Sequence, residues 1–230
     1  MPQQATWEKE YKNSKLLHFH PEPQKDTVRF FKWLKKEHSD TLEDKQVLDL
    51  GSGTGRNANY CAEKGATVTG IEISKTAILI AKQEAKKLGV NVRYIQNSFG
   101  EPFAIPDNSI DIVLDVMSSN SLNEKERAIY IAEINRALKP GGFLFVKILS
   151  KEGDQNAKKL LKLSPGKEKD TYLMKELGLV ERVFSRDDLI STYTPFFDIL
   201  CLQRKESYTH MNNRKYKRQS WLLYGQKYAT

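Results

Sequence analysis

Cysteine is nearly missing from this chain of 230 residues: only Cys61 and Cys201 are present, and neither stands in a paired motif. Both read as buried free thiols, one in a helix and one in a strand, and they say little about redox state. Long hydrophobic runs are also missing. The longest apolar stretches, "IDIVLDVM" and "GFLFVKIL", are strand-length and broken by charge, which excludes a membrane span. The N-terminal "MPQQATWEKEYKN" lacks a basic start followed by an apolar core, so a secretory signal is not expected and a cytoplasmic protein is. No linker, repeat or low-complexity tract divides the chain, and a single domain over 1–230 is the expectation.

Hydrophobic residues make up 39% and charged residues 29%, as in folded water-soluble domains rather than disordered ones. The net charge is +8, which permits an acidic partner without requiring one. Much of the excess sits late. Beyond Leu202 stand Arg204, Lys205, Arg214, Lys215, Lys217, Arg218 and Lys227 against Glu206 alone.

From residue 46 short β-branched runs alternate with helical segments, the signature of parallel strands joined by helical crossovers. Strands are expected near 46–50, 67–73, 92–97, 110–117 and 142–149. Ser74 reads as a helix N-cap, Gly65 and Gly89 as helix stops, and "KPGG" as the end of the third helix. Residues 1–40 read as an N-terminal helical cap, in which Val28, Phe31 and Leu34 form an apolar stripe. After 45–150 the rhythm breaks. Residues 151–183 contain no clear strand and read as an insertion or lid. A helix then opens at Ser185 with Asp188 at the capping-box position. Two final strands, about 197–206 and 219–228, are too close for a helical crossover and so should pair antiparallel. The fold class is therefore α/β: a Rossmann-like, seven-stranded, mostly parallel sheet with an antiparallel C-terminal pair and helices on both faces.

The stretch "QVLDLGSGTGRNANYCAEKGATVTGIEIS" ties this fold to a ligand. Gly51, Gly53 and Gly55 let the backbone turn tightly and approach a ligand closely. Glu72, at the end of the second strand, is placed to accept hydrogen bonds from both ribose hydroxyls of a nucleoside. The spacing is G-x-G-x-G rather than the dinucleotide G-x-G-x-x-G, and Asp49 precedes the first glycine by two residues, an awkward site for an anion.

With "DLGSGTG" followed by "GIEIS", the chain resembles the class I S-adenosylmethionine (SAM) dependent methyltransferases. "QNSFGEPFAIPDNSIDIVLDVMSSNSL" and "RALKPGGFLFVKIL" extend the likeness over roughly 45–150. The resemblance implies SAM as cofactor and S-adenosylhomocysteine (SAH) as product. It also implies Gly51 and Gly53 against the amino-acid moiety, with Asp49 orienting that loop or its ammonium. By the same likeness Glu72 holds the ribose, Ile73 covers adenine, Ser98 and Phe99 meet its edge, and Asp115 lies near the ammonium or the reacting methyl.

The acceptor is harder to read, because a sulfonium methyl mainly needs an aligned nucleophile. The Asn/Asp-Pro-Pro motif of exocyclic amino methylation of nucleic acids is replaced by "DVMSSN", and no cysteine stands at a strand end for cytosine C5 chemistry. A small-molecule acceptor is the main expectation, with Trp7, Tyr11, Phe19, Tyr172 and Met174 as lid residues. RNA is the alternative: Asp115 and Lys147 resemble the pair of ribose 2′-O-methyltransferases, and the basic, tyrosine-bearing run "SYTHMNNRKYKRQSW" has a composition able to hold phosphate, or is a solvated hairpin loop. A SAM-binding protein without transfer activity is a third reading. His18 is a further catalytic candidate, but His18 and His20 lack the partners of a metal site, and no metal is expected.

Overall fold

In the computed structural model, which describes residues 3–14, 20–211 and 214–229, the sheet has seven strands. They are β1 (Gln46–Leu50), β2 (Thr67–Glu72), β3 (Val92–Gln96), β4 (Ile110–Val116), β5 (Leu138–Leu149), β8 (Phe197–Met211) and β9 (Arg214–Lys227). Their order is β3-β2-β1-β4-β5-β9-β8. β1 to β5 pair in parallel, while β9 runs antiparallel to both β5 and β8. The expected fold class is the observed one.

Two apolar layers cover the sheet. On one face Phe30, Phe31 and Leu34 of α2 (Lys25–His38), Ala58 and Cys61 of α3 (Arg56–Glu63), and Ile78 and Ala81 of α4 (Lys75–Leu88) pack on Val47, Val68, Ile112, Leu114 and Phe145. On the other, Tyr130 and Ile134 of α5 (Glu124–Ala137) and Leu189 and Tyr193 of α7 (Arg186–Tyr193) meet Leu48, Leu50, Val113 and Val146. Strand residues alternate between the layers because successive side chains point to opposite faces. The local caps follow the sequence signals: Ser74 accepts from the Ala77 N–H, and Ser185 with Asp188 closes a capping box.

The structure departs from expectation in two places and adds detail to the N-terminal segment. The insertion contains α6 (Gln155–Leu163) and a separate two-stranded sheet, β6 (Thr171–Met174) with β7 (Leu179–Arg182). Strands of four residues are too short to show a pattern in sequence. A further helix, α1 (Gln4–Lys12), lies over the carboxyl ends of the strands and contributes Trp7 to the hairpin's small core. The basic run after Glu206 is no loop, because β8 and β9 stay paired from Phe197↔Lys227 to Met211↔Arg214. Among the described residues no helix is long and apolar enough to cross a membrane.

Candidate active site

β1 and β4 are neighbours although β2 and β3 intervene in sequence. At this reversal the loops after the strands diverge and open a crevice at their carboxyl ends, where open α/β sheets hold ligands. A cavity of about 190 Å³ lies there.

Its floor is the glycine loop. The Gly51 and Ser52 N–H groups donate to the Ile71 carbonyl at 2.8 and 3.1 Å. Gly51 and Gly53 have φ of +66° and +56°, a backbone region in which a Cβ is strained. Space is short as well: a Cβ on Gly51 would lie 2.3 Å from Ser118 Cβ and 3.2 Å from the Phe99 ring. On Gly53 it would lie 2.7 Å from the Tyr11 hydroxyl.

Glu72 closes one side. Its carboxylate is buried and accepts the Gly53 N–H at 2.9 Å and the Ser74 N–H at 2.8 Å. Burial pushes its carboxyl above the usual range, against the pull of those backbone donors. Each oxygen keeps a lone pair for a ligand hydroxyl. Ile73, Ser98 and Phe99 line the same end, with Ser98 Oγ fixed by the Gly100 N–H at 3.1 Å.

Asp49 lies beneath the loop, 1% exposed. It accepts a hydrogen bond from the Ala58 N–H in the first turn of α3. Burial, then the nearby Asp115, raise its carboxyl to about 8, with Arg56 opposing. Its Oδ2 and the Ser52 Oγ are buried without a partner.

Asp115 does not reach the cavity. Odd residues of β4 face α5, and Asp115 accordingly accepts the Tyr130 hydroxyl at 2.7 Å, the Ser119 N–H at 3.2 Å and the Ser118 hydroxyl. It pins the loop that follows. That loop turns at Met117, whose φ is +67° and whose N–H donates to the Lys147 carbonyl at 2.8 Å. Val116, Met117 and Ser118 form the wall.

Lys147 does not meet Asp115 either. Its ammonium lies 2.9 Å from Asp26 and donates to Gln24 Oε1 at 3.0 Å. Burial lowers the Lys147 pKa, and Asp26 opposes the shift. Burial would raise the Asp26 carboxyl, but Lys147 and Lys205 more than offset it and hold it below its ordinary value. The Asp115–Lys147 pair expected of a 2′-O enzyme is therefore absent.

The roof is α1 with its N-cap Gln3, and Gln3, Trp7 and Tyr11 line the cavity. Gln3 Nε2 donates to the carbonyls of Ser121 and Val180 at 2.6 and 2.8 Å, and its Oε1 accepts the Val180 N–H at 2.8 Å. The Glu8 carboxylate accepts the hydroxyls of Thr76 and Ser74 at 2.6 and 2.7 Å, with the Thr76 N–H at 3.2 Å. These bonds, Thr76 first, hold its carboxyl down at about 2.

Of the expected lid residues, Trp7 and Tyr11 are on the wall, while Tyr172 and Met174 are buried inside the hairpin. His18 and Phe19 lie outside the described residues; His20 lines the cavity. Sequence reasoning missed Gln3, Gln24, Arg56 and Asn57, which also line it.

Residues 47–142 match the model of a family described as a methyltransferase domain. The whole-chain architecture agrees. A SAM-dependent methyltransferase of Methanosarcina mazei superposes with a TM-score of 0.74 at 27% identity, over 84% of this chain and 97% of that one. Residues 47–142 of this chain thus match a methyltransferase domain, and its fold is similar to that of a SAM-dependent methyltransferase. Over 117 residues it is 31% identical to the ubiquinone biosynthesis O-methyltransferase of Klebsiella pneumoniae (strain 342), covering 51% of this chain and 48% of that protein. The chain thus spans about half the length of the curated relatives it matches. The 1,6-didemethyltoxoflavin-N1-methyltransferase of Burkholderia thailandensis, solved with its substrate and SAH, shares the fold at 16% identity and a TM-score of 0.69, over 99% of this chain and 88% of that one. The matched residues 47–142 contain the glycine floor and Glu72, and α1 and both hairpins lie outside them.

Proposed function

We propose that the protein transfers a methyl group from SAM to a small-molecule acceptor and releases SAH. The observation that carries this reading is the continuity of the cavity: one space under α1 joins Gly51, Gly53 and Glu72 to His20, Gln24 and Met117.

The residues fit SAM. Glycines without a Cβ leave room above the floor, Glu72 retains acceptor capacity for two ribose hydroxyls, and Ile73, Ser98 and Phe99 supply a slot for a flat base. The carboxyls of Glu72 and Asp49 suit a cationic sulfonium, beside which Asp49 would ionise, better than a pyrophosphate. When bound, SAM supplies a methyl already activated towards attack. The chain's own task is alignment and exclusion of water, and α1 serves both. The named relatives support a small acceptor, since one is an O-methyltransferase of ubiquinone biosynthesis and another an N1-methyltransferase of 1,6-didemethyltoxoflavin.

The test is calorimetric titration with SAM, followed by transfer of labelled methyl into fractionated lysate. Label in the small-metabolite pool, with SAH accumulating over time, is expected. Ribonuclease-sensitive label would replace this reading with the RNA one, and SAM binding without SAH production would make the protein a binder.

A further inference from the structure

Glu72 ends β2 while Lys147 lies in β5, and β1 and β4 stand between them. At the usual strand spacing the two ends of the crevice are about 14 Å apart. The β5 end is unlike the ribose end, for it is built of amides whose orientation is dictated from behind.

Gln24, the residue before α2, accepts a hydrogen bond from Lys147 Nζ through its Oε1. A lysine ammonium has only donors, so the amide must meet it with oxygen. Gln24 Nε2 is thereby the group turned to the cavity that Gln24 lines. Asn57 repeats the pattern. Its Oδ1 accepts the Gln24 backbone N–H at 3.0 Å, which leaves its own NH₂ for the cavity it also lines.

The charges behind these amides are unbalanced. Asp26 is buried and engaged by Lys147 at 2.9 Å, by Lys205, and by Arg29 at 3.3 Å. Three cations thus surround one carboxylate, and Arg56 on the cavity wall adds another cation. The acidic wall residues Glu72 and Glu126 bind the Gly53 and Ser74 amides and the Asn123 N–H respectively, away from this end. Tyr11 and His20 complete the titratable wall.

Building on the methyltransferase reading, we infer that the acceptor is bound as an oxyanion, an ionised ring hydroxyl, held by Gln24 Nε2 and Asn57 Nδ2. Lys147 is a positioning residue that locks the Gln24 amide. A phenolate satisfies two N–H donors in an electropositive setting, whereas an ammonium would face donors and like charge. The oxyanion's lone pair forms the new O–CH₃ bond as the CH₃–S bond breaks, its pair going to sulfur. The hydroxyl proton has already passed to solvent, and no side chain need take it up.

The probe is 4-nitrocatechol, whose absorbance reports ionisation of its ring hydroxyl near neutral pH. Added to the SAH-loaded protein, it should shift to the phenolate spectrum. Gln24→Glu keeps the contact with Lys147 but replaces the donor by a carboxylate, and should weaken probe binding at least tenfold while calorimetric SAH affinity stays within twofold. Lys147→Met should lose the spectral shift and Lys147→Arg, also a pure donor, should keep it. Dopamine, a catechol bearing an ammonium, should bind at least tenfold more weakly than 3,4-dihydroxybenzoate. An unshifted probe, an unaffected Gln24→Glu variant, or equal binding of the two catechols would overturn the assignment. Failure to bind SAM or SAH would instead overturn the methyltransferase reading beneath it.

Discussion

The glycine floor of the cavity is held by backbone, whereas the roof made by α1 is held by side chains. Gly51 and Ser52 donate to the Ile71 carbonyl across a gap of about twenty residues, and the left-handed backbone at Gly51 and Gly53 disfavours any side chain with a Cβ. The roof hangs on Gln3 and Glu8, whose partners lie at Ser121, Val180 and Thr76. A floor of this kind is rigid and positions a ligand. A roof clasped by a few partly exposed hydrogen bonds releases at modest cost, since each contributes about 1 kcal/mol net, and so can admit and discharge small molecules.

Breaking the floor should cost most. Gly51→Val brings side-chain atoms into Ser118 and forces a β-branched residue into a left-handed backbone, and calorimetry should show SAM affinity falling at least a hundredfold, about 2.7 kcal/mol, in protein that still melts cooperatively. Glu72→Ala should weaken SAM binding at least tenfold, about 1.4 kcal/mol. Unchanged affinity would mean that the ribose is held elsewhere.

Loosening the roof should cost less. Glu8→Gln removes the carboxylate from Ser74 and Thr76, and roughly threefold faster SAH release is expected in stopped flow, with faster amide exchange confined to α1. Equal exchange in variant and parent would show the clasp to be idle.

A pH dependence sharpens the contrast at the floor. The Asp49 carboxyl, raised by burial to about 8 from an ordinary 3.8, holds a proton in the folded state that the unfolded state has lost. Between those values unfolding releases a proton, so Asp49 makes stability fall as pH rises, and the contribution is fully regained only below about pH 4. Asp49→Asn should flatten the dependence of the denaturant midpoint on pH between 4 and 8. A slope identical to the parent's would assign the effect to Glu72, whose carboxyl is shifted in the same direction.

The same contrast explains what was legible in the sequence. The floor is local: Gly51, Gly53 and Glu72 lie within one strand-helix-strand unit, and turn chemistry fixes them. The roof depends on residues up to 177 positions apart, as between Gln3 and Val180, and no periodicity marks such pairs. Gln24 and Asn57 were illegible for that reason too, being ordinary amides until Lys147 fixes the orientation of one and the Gln24 N–H that of the other. Asp115 is different. Strand parity puts it on the face of Val113, towards α5, and period two alone, followed to the end of β4, would have turned it away from the cavity.

Asp26 is bonded to Lys205, 179 residues further along the chain. During synthesis the parallel core through β5 emerges complete with its glycine floor and Glu72, while the β5 flank still awaits β9. A nascent chain therefore carries the glycine floor before the Lys147 flank is braced, and the order in which the ribosome delivers the strands becomes the order in which the two ends of the crevice mature.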